Sequence, residues 1–122
     1  SRIALFTHMV ERNDDTDLTA ILKAASDPTR RAILTLLAQQ GPMRVTDLAQ
    51  HFEMSLNSVS KHIKTLESAA LVSRRTEWRE HLIELNPGRL ARIDTWFKDL
   101  QSIWALRLEK LETLMTKDDQ DD

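Results

Sequence analysis

The apolar residues in the first half of the chain recur at the spacing of helices. Leucine, isoleucine and alanine repeat every three or four positions from Leu18 to Ala25, and again from Ile33 to Leu37. A shorter pattern follows Thr46, and another runs from Leu56 to about Ala69. The spacing therefore predicts four helices in this part of the chain.

Residues that begin and end helices lie at the boundaries of these segments. Asp27 can cap a helix whose first position is Pro28, and Gly41-Pro42 can end it. Ser55 can cap the helix that begins at Leu56 in the same way. These boundaries support the helices that the periodicity predicts.

The helix from Leu56 has two different faces. Its apolar residues lie three, four and three positions apart, so we expect one buried face of Leu56, Val59, Ile63 and Leu66. The remaining surface is small, polar and basic, and consists of Asn57, Ser58, Ser60, Lys61 and Lys64. Two short helices joined by a tight turn, the second with such a face, fit the helix-turn-helix motif, in which the second helix enters the DNA major groove.

The pattern changes from helical to alternating after Leu71. Residues 72–76 and 82–85 are predicted to pair as a hairpin with a charged tip region, which must pack on helices to be stable. Asn86-Pro87 then begin a helix with apolar positions for nearly eight turns. The predicted fold class is mainly α (α+β): a winged helix-turn-helix with a two-stranded β-hairpin wing and a long C-terminal dimerisation helix.

The apolar stripe of the last helix is wider than one small domain can cover, which favours a partner helix. A symmetric homodimer is the simplest partner. The residues expected at the dimer interface are Leu18, Leu22, Leu90, Ile93, Phe97, Leu100, Ile103, Trp104, Leu108 and Leu111. Trp96, Phe97 and Trp104 could instead line a pocket for a small apolar molecule, although aromatic residues at helical spacing are more often core.

Composition narrows the chemistry of the chain, whose 122 residues are the size of one domain. It has no cysteine, which excludes disulfides and thiolate sites, and its two glycines leave no phosphate-binding loop. No carboxylate pair or Ser-His pair has a recognisable catalytic arrangement, so we expect no enzyme. We also expect a cytoplasmic protein without a membrane partner, because no long apolar run or secretory signal is evident.

The net charge of −2 argues against nucleic-acid binding until its distribution is considered. Two of the 17 basic residues and seven of the 19 acidic residues lie outside residues 16–117, which leaves 15 bases against 12 acids between them. The body of the chain is thus mildly basic and suited to double-stranded DNA. The expected DNA-binding residues are Ser55, Asn57, Ser58, Ser60, Lys61, His62, Lys64, Arg74, Arg75 and Arg79.

Several of these residues have a structural alternative. Arg74, Arg75 and Arg79 lie among glutamates, so each could form a cross-strand ion pair. Trp78 could pack on the hairpin or touch the wall of a groove. Arg30 and Arg31 open the second helix, where one could pair with Asp27 and the other could reach a phosphate. Of these two roles, we expect the structural one.

Residues 16–116 are predicted to form the DNA-binding and dimerisation domain. Residues 1–15 form an N-terminal extension that is either natural or in part vector-derived, with Met9 as the natural start. Residues 117–122 carry four aspartates and no apolar residue, so we expect an acidic, disordered tail.

Two distant motifs carry a resemblance to a known family. The run DPTRRAIL at residues 27–34, and Met54-Ser55 leading to VSKHIKTLE at residues 59–67, closely resemble the ArsR-type family of bacterial winged-helix repressors. The resemblance covers roughly Leu18 to Leu114. It implies a homodimeric transcriptional repressor that binds an inverted-repeat operator with the helix from Leu56, while the hairpin flanks the adjoining groove.

The departures from this family concern its metal sites. Metal-sensing members have a Cys-x-Cys pair where this chain has Arg44-Val45-Thr46, and zinc sensors use histidines of the last helix, but none follows His81 here. We therefore expect no metal and no cofactor. The sequence does not identify the effector: the protein could respond to a small apolar molecule, to a partner protein, or to its own concentration alone. The alternative function is a protein-interaction module that acts through the long helix without binding DNA.

Overall fold

A computed structural model describes the backbone of residues 16–121 and the side chains of residues 16–117. Residues 16–25 are helical and form α1. The elements that follow are α2 (Pro28–Gln40), β1 (Met43–Arg44), α3 (Val45–Ala49), α4 (Leu56–Ser68), β2 (Val72–Glu77), β3 (Glu80–Leu85) and α5 (Pro87–Asp121). The predicted extension of residues 1–15 lies outside the described residues.

The chain divides into two compact units, Ser1–Leu90 and Ala91–Asp122. In the first unit, apolar side chains from α1, α2, α3, α4 and the sheet form one core: Leu18, Ile21, Ala24, Ile33, Leu37, Leu48, Val59, Ile63, Leu66, Ala69, Leu71, Val72, Leu82 and Ile83. This core holds the helix-turn-helix and the hairpin in one body. Leu56 was expected in the core but is 50% exposed, because it occupies the first position of α4, where little packs over it.

The predicted caps of α2 are confirmed. The Asp27 carboxylate accepts a hydrogen bond of 3.0 Å from the backbone N–H of Arg30, and Pro28 is the first helical residue. At the other end, Gly41 has φ +80° and donates its N–H to the carbonyl of Leu37 over 2.9 Å. Glycine adopts this positive φ without a steric penalty, so α2 ends there.

The helix α4 is also defined by its ends. The Ser55 hydroxyl accepts a hydrogen bond from the N–H of Ser58, as the capping pattern predicts. At the C-terminus, the Leu71 N–H donates to the Leu66 carbonyl and the Ala70 N–H donates to the Glu67 carbonyl. This pair of bonds is a Schellman motif, and it places Ala70 at φ +59°, where glycine is usual.

The hairpin forms as predicted but belongs to a three-stranded antiparallel sheet of order β1-β3-β2. The prediction of two strands missed β1, which pairs Met43 with Ile83 and Arg44 with Leu82. A strand of two residues has no periodicity to detect. In the hairpin, Glu77 lies opposite Glu80, so that only Trp78 and Arg79 form the turn.

The last helix, α5, follows Asn86 and includes residues 117–121, for which the sequence predicts a disordered tail. No glycine or proline follows Gly88, so this part of the chain lacks a residue that breaks a helix. Large apolar side chains remain exposed between Phe97 and Met115. Among the described residues, no helix combines the length and apolar composition that crossing a membrane requires. The mainly α winged helix-turn-helix fold is confirmed.

Candidate nucleic-acid interface

The outer face of α4 is set by the core residues on its inner face. Val59, Ile63 and Leu66 are fully buried, so the residues on the opposite side of the helix point to solvent. Asn57 and Lys61 lie one turn apart on that side, and Lys64 follows at the next position of the same face. All three side chains are exposed. The structure thus brings an amide and two ammonium groups together on one surface, which we call the α4 face.

The charges of the α4 face are unbalanced. Neither Lys61 nor Lys64 forms an ion pair with any carboxylate of residues 16–117. The amide of Asn57 likewise has no hydrogen-bond partner among those residues. The α4 face therefore offers free donors and acceptors, together with positive charge, to an external ligand.

The serines of α4 are less available. The Ser55 and Ser58 hydroxyls are 3.0 Å apart and are hydrogen-bonded to each other, in addition to the capping bond. Ser58 and Ser60 are half-buried on the two flanks of the helix. The expected base contacts of these serines stay predictions, and Asn57 has the more accessible polar group.

His62 lies against the start of α2 and not on the α4 face. Its Nδ1 is 3.3 Å from the Arg30 guanidinium and 3.9 Å from the Asp27 carboxylate. The Arg30 backbone N–H, followed by the charges of His62 and Arg30, lowers the pKa of Asp27, although partial desolvation opposes this. Arg30 also donates to the carbonyls of Lys23 and Ala24, so its role is structural, as expected.

Arg74 and Arg75 are both engaged in ion pairs, but only the pair of Arg75 with Glu84 of β3 is the cross-strand pairing that the sequence left open. Arg74 contacts the Glu67 carboxylate of α4 at 2.9 Å, and its Nε is 3.0 Å from both oxygens. Arg75 contacts Glu77 at 3.0 Å and Glu84 at 3.3 Å. Arg74 thus connects the hairpin to α4, and Arg75 connects the two strands of the hairpin. Because both are paired, they present less positive charge to a ligand than free arginines would.

The tip of the hairpin is different. Arg79 has no carboxylate partner among residues 16–117, and its guanidinium lies 5.0 Å from the centre of the Trp78 ring. Trp78 is 86% exposed, so its ring does not pack flat on the hairpin. The structure thus leaves Lys61, Lys64 and Arg79 as the unpaired cations of the helix-turn-helix and the wing.

Known proteins resemble this chain in sequence and in fold. A family described as "Helix-turn-helix domain" matches residues 25–75. The HTH-type transcriptional regulator Rv2034 of Mycobacterium tuberculosis is 35% identical over 99 residues, which cover 81% of this chain and 89% of that protein. The crystal structure of an ArsR family transcriptional regulator matches with a TM-score of 0.68 and 32% identity, covering 75% of this chain and 93% of that chain. The chain belongs to the ArsR family.

The ArsR-family resemblance that the two sequence motifs carry is therefore confirmed. A further relative is the homodimeric winged helix-turn-helix DNA-binding domain from Mycobacterium bovis, described as a possible ArsR-family regulator. Its solution structure matches with a TM-score of 0.61 and 25% identity, covering 75% of this chain and 84% of that chain.

In this ArsR-family chain, the start of α5 holds the end of α4, a feature that the sequence analysis missed. The Asn86 side-chain amide donates to the Ala70 carbonyl over 3.0 Å. The Arg89 guanidinium donates to the Ala69 carbonyl and forms two hydrogen bonds to the Asp17 carboxylate, at 3.1 and 3.3 Å. Asn86-Pro87 marked the start of a helix in the sequence, but no local signal identified these distant partners.

The expected dimer residues fall into two groups. Leu18 is 8% exposed because it packs in the core of the first unit, whereas Leu22 is 36% exposed. On α5, Leu90 and Ile93 are half-buried, and the others are at least 46% exposed: Phe97, Leu100, Ile103, Trp104, Leu108 and Leu111. The dimer interface itself stays a prediction. Among the expected residues, the buried Leu18 is the least accessible to a partner.

Within the part of the chain whose side chains are described, no three His, Asp or Glu residues form a group that could hold a metal ion.

Proposed function

We propose that the protein is a homodimeric, sequence-specific DNA-binding repressor that acts on an inverted-repeat operator without a metal cofactor. In this function, the two copies of α4 enter successive major grooves about 34 Å apart. The observation that carries the proposal is the α4 face, where Asn57, Lys61 and Lys64 are exposed and lack partners among residues 16–117.

The three side chains of the α4 face suit different parts of DNA. The Asn57 amide can donate and accept at once, which matches the N6 and N7 edge of adenine in the major groove. Lys61 and Lys64 supply point charges for backbone phosphates, whose neutralisation releases counterions. The amide would thus set sequence preference, while the lysines would set affinity for any DNA.

The apolar surface of α5 supports the homodimer. Phe97, Trp104 and Leu108 are 48–57% exposed, and burying such side chains against a second copy would stabilise the dimer. The Mycobacterium bovis relative is homodimeric. Relatives that are transcriptional regulators favour this use of α5 over an interaction module without DNA, and they support a non-catalytic protein of the cytoplasm.

The test is fluorescence anisotropy of the purified protein with labelled DNA from upstream of its own gene and with a scrambled duplex of equal length. Salt is titrated in buffer that contains a chelator. We expect the native duplex to bind at least tenfold more tightly, and its affinity to fall steeply with salt. Equal affinity for the two duplexes would contradict sequence-specific repression.

Controls separate the parts of the proposal. Lys117→Ala removes one exposed lysine from the second unit, and we expect it to leave DNA affinity unchanged. Light scattering on the same sample measures the oligomeric state. A stable dimer that binds neither duplex would favour the interaction module, whereas a monomer that binds DNA would contradict the homodimer.

A further inference from the structure

The ring of His62 on α4 lies beside a cation of α2. Its Nδ1 is 3.3 Å from the Arg30 guanidinium. A guanidinium can only donate hydrogen bonds, so Nδ1 accepts this bond and carries no proton while the bond exists. The proton of the neutral ring is then on Nε2, because the partner of one ring nitrogen sets the tautomer.

The Arg30 guanidinium is fixed from its other side by α1. Its Nε donates to the Ala24 carbonyl over 2.6 Å, and a terminal nitrogen donates to the Lys23 carbonyl over 3.2 Å. These carbonyls belong to the last turn of α1, where a helix attracts positive charge. Arg30 thus joins α1, α2 and α4, and it cannot move away from His62 without losing its bonds to α1.

An acceptor for a protonated ring lies close by. The Asp27 Oδ2 is 3.9 Å from the same Nδ1, which is beyond hydrogen-bond distance. That oxygen also caps α2, where it accepts the backbone N–H of Arg30 over 3.0 Å. A proton on Nδ1 would bring two cations face to face, whereas a move of roughly 1 Å toward Asp27 would form a charge-assisted hydrogen bond. The two protonation states of His62 therefore have different partners.

Arg30 and Asp27 are the charged groups that face the ring. The charged groups of the other elements beside α4 are paired or exposed: Asp47 of α3 with Arg44, Arg74 and Arg75 of β2 with glutamates, and Lys23 of α1 in solvent. The lysines of the α4 face are exposed, whereas the His62 side chain is only 25% exposed. The ring is thus shielded enough to respond to its two neighbours, and open enough to exchange protons with water.

We propose that His62 is a positioning residue that makes operator recognition sensitive to pH. The neutral ring holds α4 against α2 through Arg30, and the protonated ring turns to Asp27 and shifts α4. Base contacts need a fixed helix position, whereas flexible lysines can follow a phosphate. Protonation of His62 therefore lowers the preference for operator over random DNA, without abolishing affinity for DNA. This inference rests on the proposed DNA-binding function and adds a regulation that needs no ligand.

The experiment measures affinity for the upstream duplex and for the scrambled duplex at several pH values. The range runs from about pH 7.5 to about pH 5.5, which spans the usual titration of histidine. The ratio of the two affinities cancels the general attraction of any protonated histidine to phosphates. We expect the ratio of the wild-type protein to fall about fivefold over this range, the effect of one hydrogen bond.

Two variants at position 62 separate the functions of the ring. His62→Asn keeps an acceptor near the place of Nδ1 but does not titrate, so its ratio should stay high throughout the pH range. His62→Phe keeps a flat ring without an acceptor, so its ratio should be low at every pH. His51→Asn is the matched control, because His51 is exposed, and it should retain the wild-type pH profile. Circular dichroism at each pH verifies that the variants are folded.

A measurement without DNA tests the tautomer itself. In isotope-labelled protein, the nitrogen chemical shifts of the His62 ring distinguish a protonated from an unprotonated Nδ1. We expect only Nε2 to be protonated at neutral pH, and both nitrogens to be protonated after acidification. A neutral ring with its proton on Nδ1 would exclude the bond from Arg30 and would overturn the proposal before any DNA is added.

The DNA measurements can overturn the proposal in three further ways. A ratio that falls with pH equally in His62→Asn would place the titrating group elsewhere. A wild-type ratio that is high but independent of pH would contradict the regulation by His62 while leaving the proposed function intact. If the upstream duplex were not preferred at any pH, the proposed function would itself fail, and the regulation with it.

Discussion

The basic residues of α4 and those of strand β2 in the wing hold their positive charge in opposite ways. The lysines of the α4 face have no carboxylate partner among the described residues, whereas Arg74 and Arg75 of the wing are bound to glutamates. Sequence alone counts all of these side chains as equal cations. The comparison teaches that unpaired charge, and not the number of basic residues, marks the surface that suits DNA.

The largest expected effect tests the amide of the α4 face. Asn57→Ala should weaken binding to the operator by about 10- to 100-fold, since one bidentate base contact contributes roughly 1–3 kcal/mol. Binding to random DNA should change less than twofold, because phosphates carry that affinity. Competition anisotropy with both duplexes measures the ratio. An equal loss on both would show that Asn57 does not read sequence.

Next in size is the loss of one free charge. Lys64→Ala should weaken binding to operator and random DNA by the same factor. It should also lower the slope of log affinity against log salt by about 1, because one phosphate contact is lost. Affinities at four or more salt concentrations give the slope. An unchanged slope would mean that Lys64 is only a solubilising residue.

A smaller effect is expected from a paired charge. Arg74→Gln removes one positive charge, as Lys64→Ala does. The Arg74 guanidinium, however, is already paired with Glu67 in the protein without DNA. We therefore expect less than about a threefold change in affinity and no change in the salt slope, since exposed ion pairs contribute at most about 1 kcal/mol. A slope that falls as far as for Lys64→Ala would erase the contrast between helix and wing.

The smallest effect on DNA binding is expected at Ala70, a residue other than glycine that has a positive φ. Ala70, at the end of α4, should tolerate glycine and gain about 1 kcal/mol of folding stability, because its left-handed conformation penalises a Cβ. Chemical denaturation measures the gain. DNA affinity should stay unchanged, because Ala70 is not part of the α4 face. A loss of affinity in Ala70→Gly would show that the C-terminal end of α4 also serves binding.

Local signals in the sequence were sufficient for most of the fold. Capping by Asp27 and Ser55 depends on residues three positions away, so it could be predicted without knowledge of the tertiary structure. The exposure of Leu56 could not be predicted, because helical spacing identifies the apolar face of a helix but not the point at which neighbouring elements stop covering that face. The strand β1 depends on pairing with β3, some forty residues later in the chain.

The sequence predicted which residues belong to the candidate site, but not which other side chains of the protein they contact. Asn57 and Lys61 were assigned to an exposed surface from periodicity, and the structure exposes them. His62 was expected at DNA, yet its ring contacts Arg30, which lies 32 residues earlier in the sequence. Which arginines are free depends on distances between side chains of different elements, and a linear pattern does not contain those distances.

The short strand β1 has a consequence for how this protein can change over evolution. Because Met43 and Arg44 pair with β3, the base of the wing is joined to the residues that immediately precede α3. Residues inserted at Trp78-Arg79 would lengthen the hairpin outward, since the register at its base is held from both sides. Related proteins could therefore acquire longer or differently charged wings without moving α4, and so alter operator choice by insertion at one turn.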